Sequence, residues 1–77
     1  MTTVREFTGR MWYSQPMIII PWNRLHNETN LEKIKERAIY IGTPHELRSV
    51  TNANINNMAM DSYGAIDNTI IITVHGN

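Results

Sequence analysis

The chain has no cysteine, only four glycines and three prolines in 77 residues, a single phenylalanine, and no excess of either charge. Each shortage removes a class of protein. Without cysteine there is no disulfide framework, no thiolate nucleophile and no cysteine-ligated zinc, so a domain this small leans on packing or on oligomerisation. The few glycines form neither GxxxxGK[ST] nor GxGxxG, which leaves no loop for cradling a phosphate. Seven basic residues against seven acidic ones give a formal charge of zero, so no whole-molecule field draws the chain to nucleic acid or to an anionic membrane. Met1 to Arg10 mixes acid and base without an apolar stretch, and the longest aliphatic run is four residues. Neither a signal peptide nor a membrane span is read from this, and the cytoplasm is the expected location.

What is present suits one folded domain over residues 1–77: 42% hydrophobic residues are enough for a core even with only 18% charged. Two runs dominate it, Met17-Ile18-Ile19-Ile20 and Ile70-Ile71-Ile72-Thr73-Val74. Both are apolar on both faces, with Thr73 the one polar residue, the mark of strands buried on two sides rather than one. Val4, Phe7, Met11, Trp12 and Tyr13 read as an earlier strand split at Gly9, with Gln15-Pro16 as a turn and Pro21 as the stop after Ile20. Alternation along Thr69 to Val74 puts Ile70, Ile72 and Val74 on one buried face, with Asp67-Asn68 as the turn before the strand and Gly76 closing it.

Two helix starts carry the capping-box signature, in which a threonine and a glutamate three residues on satisfy each other's backbone N–H groups. The first is Thr29-Asn30-Leu31-Glu32, followed by Leu31, Ile34, Ala38 and Ile41 at helical spacing, with Gly42 available for a left-handed terminus. A strand over Ala38 to Ile41 is the alternative. The second is Thr43-Pro44-His45-Glu46, with proline at the first helical position, and this helix ends near Val50 or runs to Met60. The expected architecture is therefore α+β: a small antiparallel sheet of about three strands in the order β-β-α-α-β, with one or two helices on one face. That leaves the other face of a two-sided sheet short of cover.

No residue pattern specifies a chemistry. His26, His45 and His75 lack both helical pair spacing and cysteine partners, so no metal is expected, and no other cofactor is implied. Ser14, Ser49 and Ser62 stand in no nucleophile elbow, and the reading is of a protein that is not an enzyme. Arg5, Phe7, Arg10, Trp12 and Tyr13 interleave cations with aromatics in the manner of a single-strand nucleic-acid platform. The strand-helix-helix order from Met17 to Val50 resembles the ribbon-helix-helix repressors, dimers that read the major groove with polar side chains on the strand. Met17 to Ile20 offers no such side chain, so the resemblance is one of element order.

The expected function is a non-enzymatic protein-binding module, a small accessory modulator or inhibitor of a larger host protein or complex, of the type phages carry. Arg10, Met11, Trp12, Tyr13, Met17 and Trp22 are the candidate partner-binding residues, since aromatic and methionine side chains supply large, adaptable contacts. The partner would be a protein, with a homo-oligomer also expected as an option and no membrane. The alternative is a homodimeric nucleic-acid-binding transcriptional regulator.

Overall fold

The computed structural model describes residues 2–75. Its first helix, α1 (Val4–Thr8), opens on a full capping box: Thr3 Oγ1 accepts from the Glu6 N–H at 3.2 Å and Glu6 Oε1 accepts from the Thr3 N–H at 3.0 Å. This corrects the expected strand from Val4. Val4, Phe7 and Met11 lie three and four apart because they share one helical side and its continuation, and Val4 is fully buried.

Strand β1 (Met17–Pro21) follows, then α2 (Trp22–Leu25) and α3 (Leu31–Arg37). The cap of α3 is Asn30 rather than Thr29: its Oδ1 accepts from Glu32 N at 3.0 Å and Lys33 N at 3.3 Å. Asparagine outranks threonine at this position, and the shift moves the helix start by one residue. The Glu28 carboxylate accepts from the Asn30 N–H at 3.2 Å, the main reason its pKa falls below the usual carboxylate value. The helix stops at Arg37, and Tyr40–Gly42 forms β2, so the strand alternative for Ala38 to Ile41 describes its second half.

Helix α4 (Pro44–Leu47) starts at the expected capping box of Thr43 and Glu46. A single 3-10 turn (Val50–Asn52) and the short α5 (Ala53–Asn56) come next, so no continuous helix runs to Met60, and β3 (Ala59–Ile66) is a strand that the sequence reading does not contain. Asp67 and Asn68, both at positive φ, turn the chain into β4 (Thr69–His75). Gly76, read as closing that strand, lies outside the described residues.

The fold class is α+β as expected, with three differences. The sheet has four strands in the order β2-β1-β4-β3, and it is mixed: β1 pairs antiparallel with β2 and parallel with β4, while β3 and β4 form a hairpin. Both faces are also covered. Met17, Ile19, Ile72 and Val74 point to one side and meet Val4 of α1 and Leu47 of α4. Ile18, Ile20 and Ile71 point to the other and meet Ile34 of α3, with Leu25 of α2 at its margin. The two-sided apolar strands are thus the centre of a small complete core, as parallel neighbours require. No helix among the described residues is long and apolar enough to cross a membrane.

Candidate partner-binding surface

Helix α1 ends at Gly9, and the chain from there to Pro16 runs as a loop over the end of the sheet where β1 begins. The loop is tied down at several points. Gln15 N–H donates to Trp12 O at 3.1 Å, and Gln15 Nε2 donates to Pro16 O at 2.9 Å and to Asn68 O at 2.6 Å, joining the loop to the β3–β4 turn. His45 N–H donates to Tyr13 O at 3.1 Å. That donor is one of the first-turn N–H groups of α4 that its own helix leaves unbonded, so loop and helix satisfy each other.

On this fixed backbone Trp12 is 76% and Tyr13 64% exposed. Their rings lie 6.3 Å apart, and Tyr13 meets the His45 imidazole edge-on at 6.2 Å. The three rings form an aromatic row along one rim of the sheet. Such rings carry large contact area at small conformational cost once the backbone beneath them is held.

The other candidates divide. Arg10 is exposed on the same loop, and Met11 is half-buried where it packs against the core. Met17 is 1% exposed and belongs to that core, so it has no surface to offer; its place in the central strand, bonded on both sides, buries it. Trp22 is 53% exposed but follows Pro21 at the far end of β1, beside His75 at 6.4 Å. Five residues of strand at roughly 3.3 Å each put it about 16 Å from the start of β1. The predicted set is therefore one rim group, Arg10 with Trp12 and Tyr13, and one separate tryptophan. Nothing in the sequence marks His45 as a binding residue, and only the tertiary bond to Tyr13 places it there.

The arginine–aromatic alternation of a nucleic-acid platform does not form, because Arg5 and Phe7 lie on a helix. Arg5 and Arg48 do flank a small pocket of about 120 Å³ with Thr8 and Asn56. Its neutral groups are already engaged: Thr8 Oγ1 donates to Val4 O at 2.8 Å, and Asn56 Nδ2 donates to Leu47 O at 2.8 Å. Strand β1, the counterpart of a ribbon-helix-helix strand, is bonded on both edges within its own sheet and so cannot pair with a second copy.

Asp61, Ser62, Thr73 and His75 gather near the far end of the hairpin. The register of β3 shifts between Met60 and Ser62, and the Thr73 hydroxyl fills the gap: it accepts from Ser62 N–H at 3.0 Å and lies 2.6 Å from Ser62 Oγ. His75 Nε2 lies 3.0 Å from Asp61 Oδ1. The imidazole thus faces the carboxylate, and the Ser62 hydroxyl faces Thr73. That arrangement locks a bulge rather than pairing a nucleophile with a base.

Compared with protein-family models, with curated proteins and with solved structures, the chain finds no match in any of the three.

Proposed function

We propose that this protein is a non-enzymatic protein-binding module, an accessory modulator or inhibitor of a larger protein or complex, and that the Trp12–Tyr13 rim is its anchor. One observation carries the reading: two adjacent aromatic side chains stand mostly in solvent on a backbone that hydrogen bonds hold in place. A small core that needed those rings would bury them, and here Val4, Leu47 and Met17 already close the sheet on that side. Exposed aromatic rings clustered on a rigid segment are typical of interface hot spots. The zero net charge favours a protein surface over a phosphate backbone.

The test is a photo-crosslinking amino acid placed at Trp12 in the native cell, with the same group at exposed Val50 as the control. The reading expects a discrete protein adduct from position 12 and none from position 50. Adducts to nucleic acid, or identical patterns from both positions, would contradict it.

A further inference from the structure

The two edges of the sheet are treated differently. Strand β2 is three residues long and runs directly into Pro44 and helix α4, so it offers little to pair with. Strand β3 is eight residues long, and only its beginning is covered: Met60 N–H donates to Thr2 O at 2.8 Å, and Val4 N–H to Met58 O at 2.9 Å. Beyond that point Ser62 to Ile66 carries no charge and no proline, and the bulge between Met60 and Ser62 is the one protection on this edge. The two-residue loop Asp67-Asn68 makes Ile66 and Thr69 a bonded pair, so alternation turns the backbone groups of Gly64 toward β4 and those of Tyr63 and Ala65 outward. Among the described residues no backbone bond from another element reaches Tyr63 or Ala65.

We propose that this edge pairs antiparallel with the same edge of a second copy, with Gly64 on the two-fold axis and Tyr63 opposite Ala65 of the other copy. The segment is self-complementary in that register. Tyr63, 65% exposed and packed by Phe7 at a ring distance of 4.9 Å, lies across from a methyl group, and the two glycines meet at the axis, where an added Cβ finds nothing within 4 Å in the single chain. Tyr63 and Ala65 of each copy exchange four backbone bonds, and two four-stranded sheets become one of eight strands. Zero net charge means that the copies do not repel as wholes. Asp61 faces Asp67 of the other copy at each end of the pairing, a like-charge contact that weakens it, while Asp61 Oδ1 also lies 3.0 Å from His75 Nε2 of its own chain. The interface is short, so the association is weak, in the range of roughly micromolar to millimolar. It is independent of the aromatic rim.

Sedimentation velocity over rising concentration, together with amide hydrogen exchange, tests the pairing. The expected result is a monomer–dimer equilibrium in which the Tyr63 and Ala65 amides gain protection as the dimer fills, while the Ile41 amide on the other edge does not. Ala65→Pro removes only an outward donor, at a position where an edge strand accepts proline, and should weaken dimerisation about tenfold or more without unfolding the chain. The wild-type exchange pattern decides the matter even where that variant folds poorly. A monomer up to about 1 mM overturns the proposal. So does a dimer in which both amides exchange freely, or one that survives Ala65→Pro and is lost in Trp12→Ala, which would assign self-association to the rim.

Discussion

Tyr40, Gly42, Thr43 and Glu46 make one interlocked junction where β2 meets α4. The Tyr40 hydroxyl donates to Thr43 O at 2.8 Å, and a Cβ on Gly42 would fall 2.7 Å from that hydroxyl oxygen. Glycine is therefore needed for close approach and not for the left-handed terminus expected of it, since no glycine among the described residues has positive φ. Burial first, and then the Glu46 carboxylate, pushes the Tyr40 phenol above its ordinary value of 10.0. A raised acid pKa means that folding favours the neutral form. Its contribution is complete below pH 10 and is lost as pH rises through the folded value. Tyr40→Phe should cost about 1 kcal/mol at neutral pH through the lost hydrogen bond, and urea melts across the alkaline range should find this part of the wild-type decline missing in the variant. Thr43→Ala removes the side chain that accepts from Glu46 N–H at 3.3 Å and should likewise cost about 1 kcal/mol, read from the same melts at pH 7.

At the scale of elements the decisive strand is β4, whose Ile72 and Val74 are fully buried against α1 and α4 while Ile71 fills the opposite face. Ile72→Ala should cost roughly 2 to 5 kcal/mol in equilibrium unfolding, because the cavity opens at the centre of a sheet packed on both sides. A loss under about 1 kcal/mol would place Ile72 at the margin of the core. The alternation of this strand, the cap at Thr43 and the turn at Asp67-Asn68 were all legible in the residues. Helix α1 is equally legible: Thr3-Val4-Arg5-Glu6 carries the same signature as Thr43-Pro44-His45-Glu46, but the β-forming Phe7, Trp12 and Tyr13 that follow point to a strand. Strand β3 was hidden for another reason. Ser62, Gly64 and Ala65 have weak strand propensity, and pairing with β4 overrides it. The turn itself was the missing clue, since two residues at positive φ between extended segments imply a strand on each side.

At the scale of the whole molecule, the unexpected α1 and the placement of α3 and α4 on opposite sides of the sheet explain the face expected to lie uncovered. With α1, α4 and α5 on one side of the sheet and α2 and α3 on the other, the apolar strands need no partner, and Met17 leaves the list of surface residues. What remains for a partner is the rim, where Trp12 and Tyr13 are exposed although nothing in the packing requires it. Their separation from the core has a consequence for binding and stability together, since truncating them should leave the melting temperature nearly unchanged while removing an anchor worth about 2 kcal/mol or more. The position of the rings was legible only as composition, because their exposure depends on the tertiary bonds from Gln15 to Asn68 and from His45 to Tyr13. The most direct measurement is the affinity of purified wild-type protein and of the Trp12→Ala/Tyr13→Ala variant for the protein captured from the native cell, with thermal melts of both. The account predicts about thirtyfold or greater weakening at an unchanged melting temperature. Equal affinity in the variant, or a collapse of its stability, would contradict it.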